Sequence, residues 1–148
     1  MVLYEYQQTW KDVFQDNLDA LFQMALLLTA DPHEAEANLA SVINTLDMSR
    51  PPDEDGLAIL QTAVAQRSVK SGGVISSAGV AKAYSMLQAG LRPVLQLERF
   101  PRVCFVLRMM LGHATATCAG MLGMDEGAVT VLLRIAILQL HEASFEIL

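Results

Sequence analysis

Hydrophobic residues recur at three- and four-residue steps along most of the chain, which is the spacing of one face of an α-helix. In residues 3–29, for example, Trp10, Phe14, Leu18 and Leu21 belong to one such face. No alternation of apolar and polar residues typical of a β-strand is present. The pattern predicts an all-α fold with helices at residues 3–29, 32–47, 56–70, 80–89, 93–111, 114–122 and 125–146.

Short polar segments separate these helices and indicate how the chain is divided. Asp31 is a favoured N-cap, Pro32 a favoured first-turn residue, and Glu34 completes the spacing of a capping box. Residues 71–79 are small and polar, as in a linker. We therefore expect two small helical domains, residues 1–70 and 91–148, joined by a linker with a short helix at residues 71–90.

Two stretches of the chain carry recognisable motifs. Residues 28–31 read Leu-Thr-Ala-Asp after a helix, and Ala35-Glu36 follows in the next one. In residues 105–140, Leu-Gly-Met at residues 122–124 marks a turn between two predicted helices. Both stretches resemble the extracytoplasmic-function family of bacterial RNA polymerase sigma factors, and the second is similar to that family's C-terminal helix-turn-helix. The resemblance implies an N-terminal sigma-like helical bundle that binds polymerase core and melts the upstream promoter element. It also implies a C-terminal domain that reads the distal promoter element, and no enzyme chemistry.

The predicted recognition helix lacks the basic residues typical of that family. Thr130 stands where the family has lysine, and its arginine positions are occupied by Leu132, Ile135 and Ile137. Because each phosphate contact by a basic residue releases counterions, this loss removes most of the attraction to DNA. The candidate DNA contacts that remain are Thr130, Arg134 and Gln139, and we expect DNA binding to be weak or absent.

The N-terminal half also departs from the family's pattern. Ala37 replaces the aspartate of the family's Ala-Glu-Asp sequence, and Ala40 and Ser41 stand in place of its Gln-Glu pair. Residues 57–70 contain only two basic residues and no aromatic residue, although strand separation normally uses both.

Apolar residues have replaced the missing charges on the last helix. Val131, Ile135 and Leu138 follow an i, i+4, i+7 pattern on the face away from the predicted core residues, and Leu132 and Ile137 flank that core. A monomer rarely exposes such a patch without a purpose. We predict a partner interface at these five residues, covered by the N-terminal domain, by a second copy or by another protein.

Charge and cysteine content bear on location and partners. The formal net charge is -6, with five basic and eleven acidic residues in 1–90 and five of each in 91–148, so neither half is basic. Cys104 and Cys118 lie in apolar helical patterns and are interpreted as reduced core thiols. Charged residues throughout 1–20 exclude a secretory segment, and no apolar run is long enough to span a bilayer. These observations predict a cytoplasmic protein that does not bind membranes.

The chain contains no recognisable catalytic, cofactor-binding or metal-binding motif. His113, Cys118 and His141 lack a standard zinc spacing and a fourth ligand. We therefore expect no enzyme activity, cofactor or metal. The predicted function is a sigma-factor-like transcription regulator that acts through a protein partner, either polymerase core or an anti-sigma-type protein. The alternative is a self-associating scaffold, such as a homodimer, that keeps only the sigma-like fold.

Overall fold

The computed structural model describes residues 9–46, 52, 55–71 and 76–146, and these residues form helices and no strands. The all-α prediction is therefore confirmed for the described residues. The helices are α1 (Trp10–Thr29), α2 (Pro32–Thr45), α3 (Gly56–Lys70), α4 (Ser77–Met86), α5 (Arg92–Leu95), α6 (Arg99–Phe105), α7 (Thr115–Leu122) and α8 (Glu126–Glu146). A 3₁₀ turn covers Ala89–Leu91, and a wider π turn, Val106–Met110, continues α6.

Side-chain caps fix the starts of α1 and α2. At the start of α1, the Thr9 hydroxyl accepts from the Asp12 amide at 3.2 Å, so the helix begins later than predicted. Residues 3–8 of the prediction lie outside the described residues. At the start of α2, Asp31 Oδ1 accepts from the amides of His33 and Glu34 at 2.8 and 3.2 Å, as predicted. The Asp31 amide donates to the Thr29 hydroxyl at 3.3 Å, so Thr29 takes the place expected for Glu34 in a capping box.

The first three helices pack against one another with α1 in the centre. From Leu21 to Ala30, every residue of α1 and its C-cap except Phe22 is buried. Helix α3 contributes Leu60, Val64 and Ala65, which have no exposed surface. A helix that is buried on nearly all sides must be covered by several neighbours, and α2, α3 and α6 all contact α1.

The prediction of a single helix at residues 93–111 is wrong, because residues 96–98 are not helical and separate α5 from α6. Pro101 explains the break, since inside a continuous helix its ring would clash with the carbonyl four residues earlier and its missing N–H would cost a hydrogen bond. In the structure Pro101 lies in the first turn of α6, where no helical N–H partner is required. Helix α4 also begins and ends about three residues earlier than the helix predicted at residues 80–89. The Ser76 hydroxyl accepts from the Gly79 amide and so caps a helix that begins at Ser77 and ends at Met86.

Buried polar side chains connect the N-terminal and C-terminal halves. The Gln23 amide of α1 donates to the Met86 carbonyl at 3.0 Å and accepts from the Gln88 amide at 3.1 Å. Arg102 of α6 donates to the Leu27 carbonyl at 2.7 Å. The buried apolar residues on both sides of this junction belong to one continuous cluster. Ala83 and Leu87, inside the predicted linker region, are part of that cluster, and the division into two domains stays a prediction.

Within the part of the chain that the structure describes, none of the helices has both the length and the apolarity needed to cross a bilayer.

Candidate interaction surface

A tight turn places α8 against α7. Gly123 has φ of 66°, a left-handed conformation that suits glycine, and the Met124 amide donates to the Ala119 carbonyl at 3.1 Å. Asp125 Oδ1 then accepts from the Ala128 amide at 2.7 Å, which is the bond expected of an N-cap aspartate. The turn at residues 123–125 therefore sets the direction in which α8 leaves α7.

One side of α8 is used by the fold. Val129 and Ala136 have no exposed surface, and Leu132 and Leu140 are half-buried against the same core. Leu133 is also half-buried. This side packs on α6 and α7, so α8 is anchored along much of its length. Leu132 was predicted as an interface residue, and the structure places it against the core of its own chain.

The opposite side of α8 carries three exposed apolar side chains, which we call the α8 face. Val131 is 59% exposed, Ile135 38% and Leu138 56%, so neither the N-terminal half nor any other described residue covers them. Since successive residues of an α-helix turn by about 100°, the three lie within one narrow stripe. Ile137 is 43% exposed but lies on a different side of the helix, and so it does not continue this stripe.

The three predicted DNA contacts are exposed but do not form one surface. Thr130 and Arg134 lie on one side of the α8 face and Gln139 on the other, given the helical turn per residue. The Thr130 hydroxyl donates to the Glu126 carbonyl at 3.0 Å and is therefore already used within the helix. Eight residues before and after Arg134, the same helix carries Glu126 and Glu142.

The other arginines of the C-terminal half interact with their own chain. Arg102 is buried, and Arg92, Arg99 and Arg108 are half-buried beside a ring or a carbonyl of this chain. Nucleic-acid binding uses basic side chains clustered on one face. The four arginines are Arg92 over the Tyr84 ring, Arg99 over the Phe100 ring, Arg102 in the core and Arg108 at the His113 carbonyl.

A second apolar surface lies between α1 and α2, and sequence reasoning missed it. Two adjoining depressions of about 500 and 320 Å³ form one open groove, which we call the α1–α2 groove. Charged residues at its margins are Lys11, Asp19 and Glu36. Its apolar lining includes Trp10, Phe14, Leu18, Phe22, Ile43 and Leu46.

The α1–α2 groove has a signal in the sequence. Trp10, Phe14, Leu18 and Phe22 follow one another at four-residue steps, beside a separate stripe that contains Val13 and Leu21. Two stripes make the apolar side of α1 wider than a single packing face needs. Leu18 is accordingly 44% exposed, while the three aromatic side chains are half-buried.

The two thiols are inaccessible. Cys104 and Cys118 are unpaired cysteines with no exposed surface, in agreement with their interpretation as core residues. Burial, with a smaller contribution from Cys118, raises the pKa of the Cys104 thiol to about 11. Burial also raises the pKa of Cys118. Among the described residues, no three or more histidine, cysteine or acidic side chains are grouped so as to hold a metal ion.

Comparisons of this chain with protein-family models, curated protein sequences and solved structures found no match.

Proposed function

We propose that this chain is a sigma-factor-like transcription regulator that acts by binding protein through α8 rather than by reading promoter DNA. The observation that carries the proposal is the α8 face, because a helix at the end of a helix-turn-helix sequence exposes Val131, Ile135 and Leu138. An apolar stripe of this kind gains free energy when a protein covers it and gains nothing from phosphate.

The charges on α8 support the same conclusion. A protein that reads duplex DNA places several basic side chains along its recognition element, and each phosphate neutralised adds to the binding. Helix α8 has one arginine and three glutamates, and its N-cap is Asp125. An acidic N-terminus on the reading helix would face phosphate with like charge, which opposes approach to the duplex.

The resemblance to sigma factors supports a role in transcription. The capped corner at Asp31 and the glycine turn at Gly123 lie in the two stretches on which that resemblance depends. Polymerase core and an anti-sigma-type protein are the two partners that it suggests. Both are proteins, as the α8 face requires.

Affinity capture with the full chain tests this proposal. We expect the tagged protein, purified from its native cells, to recover polymerase core subunits or an anti-sigma-type protein. Leu138→Asp should lose the partner that α8 holds, whereas Ile59→Asp, at another exposed apolar position, on α3, should keep it. Recovery of neither partner would remove the transcription role.

A DNA-binding selection tests the other half of the proposal. Full-length protein at micromolar concentration and low salt should enrich no sequence from a random pool of duplex DNA. Enrichment of a defined sequence that depends on Arg134 would contradict the view that α8 has given up promoter reading.

A self-associating scaffold is the second candidate function. It is favoured by the presence of two exposed apolar surfaces on one chain, the α8 face and the α1–α2 groove. An oligomer that forms with purified protein alone, together with no recovered transcription protein, would support this candidate over the first.

A further inference from the structure

We propose that the α8 face of one molecule docks into the α1–α2 groove of a second copy of the same chain. The inference rests on the proposed function only in treating the α8 face as a protein-binding surface. It assigns the occupant, a second copy, and a specific register between the two helices.

The two surfaces match in shape and in chemistry. The α8 face is a convex stripe on a single helix, and its seven-residue span corresponds to about 10 Å. The α1–α2 groove is an open channel between two helices, and from Phe14 to Phe22 it extends about 12 Å along α1. An amphipathic helix that places its apolar stripe in a hydrophobic groove is a recurrent mode of protein recognition.

Charged residues on the two surfaces are complementary and equally spaced. Lys11 and Asp19 lie eight residues apart at the margin of the groove, and Arg134 and Glu142 lie eight residues apart on α8. Each separation corresponds to about 12 Å along a helix. If α8 runs antiparallel to α1, Arg134 meets Asp19 while Glu142 meets Lys11.

The same register aligns the apolar residues. With Arg134 opposite Asp19, Ile135 lies opposite Leu18 and Val131 opposite Phe22. Leu138 then lies beside Phe14. Glu36 of α2 lines the groove together with Asp19, so Arg134 would enter an acidic end of the groove. One placement therefore satisfies both the charges and the apolar stripe.

This contact joins two different surfaces, and so it does not close on itself in a pair. In a docked pair one molecule keeps an unused groove and the other keeps an unused α8 face, which allows chains or rings to grow. A single helix in an open groove buries little area, so we expect weak association in the micromolar range. The mean mass in solution should therefore rise with protein concentration.

A mixing experiment with two variants tests the docking mode. Leu138→Asp disables the face and Leu18→Asp disables the groove, and both side chains are exposed, so neither change affects the core. In sedimentation velocity from roughly 10 to 500 µM, wild type should associate and each variant alone should stay monomeric. An equimolar mixture should form a dimer and nothing larger, because only one face and one groove remain intact.

The sedimentation experiment has a control variant at an exposed apolar position outside both surfaces. Ile59→Asp, on α3, should associate as wild type does. A monomeric wild type, a monomeric mixture, or equal loss of association in Ile59→Asp would overturn the inference. Symmetric pairing of two α8 faces would show as undiminished association of Leu18→Asp alone, which also overturns it. None of these results decides whether the capture experiment recovers polymerase core, so the docking proposal and the proposed function are tested separately.

A charge exchange tests the register. Asp19→Arg and Arg134→Asp should each weaken association by about five- to tenfold, since each replaces attraction by repulsion at the edge of the contact. The double variant should recover most of the wild-type association, because the pair is restored with its signs reversed. Additive weakening in the double variant would exclude the proposed register.

Discussion

Among the described residues, Arg102 is the one charged side chain that is buried, and removing it should weaken the contact between the two halves. Its Nε donates to the Leu27 carbonyl at 2.7 Å and its Nη1 to the Leu97 carbonyl at 3.1 Å. Leu27 lies in the last turn of α1, where carbonyls lack helical donors and the helix dipole favours a cation. Arg102→Met keeps most of the buried stem and removes both bonds, whereas Arg102→Ala also removes the stem.

Two opposing effects determine the size of the change. Burial, and secondarily the nearby charge of Arg99, lowers the pKa of the Arg102 guanidinium to about 10. A fall of that size corresponds to a cost of about 3 kcal/mol for holding the charge inside the protein. Each hydrogen bond from a charged donor contributes about 1.5–3 kcal/mol, so the two bonds together slightly exceed that cost.

The balance predicts different outcomes for the two variants. Arg102→Met should lower the free energy of unfolding by about 1–2 kcal/mol, because two buried carbonyls lose their donor while the cost of the buried charge disappears. Arg102→Ala should lower it by about 3–5 kcal/mol, since the lost stem leaves an additional cavity. Urea unfolding of dilute protein, followed by far-ultraviolet circular dichroism, measures both values.

Arg134→Met is the matched control for this experiment. It removes an exposed arginine from α8, and it should change the free energy of unfolding by less than about 0.5 kcal/mol. If Arg102→Met were more stable than wild type, the burial cost would exceed the two bonds and the reasoning would fail. A loss below about 1 kcal/mol in Arg102→Ala would refute it as well.

The fluorescence of Trp10, the single tryptophan, extends the experiment to the predicted division into domains. Trp10 packs against the core near the start of α1 and so reports on the N-terminal half. If the halves unfold together, the Trp10 and circular dichroism transitions should coincide in wild type. Separate transitions would support two domains, each stable without the other.

Four further results are expected elsewhere in the chain. Asp31→Ala removes the acceptor that caps α2 and should lower the free energy of unfolding in urea by about 1 kcal/mol, and no loss would mean that the cap is dispensable. Gly120→Ala, exposed inside α7, should raise it by about 0.5–1 kcal/mol, whereas Gly123→Ala should lower it by about 1 kcal/mol because φ is 66°; changes of the same sign would contradict this distinction. The thiols of Cys104 and Cys118 should react with a disulfide reagent at about pH 8 only as fast as the protein unfolds, and immediate reaction of folded protein would contradict their burial. Since the pKa of Cys104 is raised to about 11 in the folded state, stability should fall between about pH 9 and 11, and Cys104→Ala should reduce that slope.

Local signals in the sequence were sufficient for much of the fold. The predicted bounds of α3 coincide with Gly56–Lys70, and Asp31 caps α2 as its position suggested. These features depend on residues close together in the chain, so periodicity and capping preferences can identify them. The break before α6 had an equally local signal in Pro101, which the interpretation of residues 93–111 as one helix overlooked.

Long-range features were harder to obtain from the sequence. Arg102 precedes Val103 and lies at helical spacing from Val106, so its place on the buried side could have been predicted. Its acceptors could not have been, because Leu27 is 75 residues away along the chain. The α8 face was predicted correctly as the outward side, because helical spacing alone places Val131, Ile135 and Leu138 opposite the core residues.

The two sides of α8 are under different structural constraints, because one packs in the core and the other is exposed. Val129 and Ala136 have no exposed surface, while Val131 and Leu138 keep more than half of theirs. Mutations on the first side should reduce how much folded protein a cell accumulates, whereas mutations on the second should leave the core intact. An evolving lineage can therefore vary the exposed side of this helix without passing through unfolded intermediates.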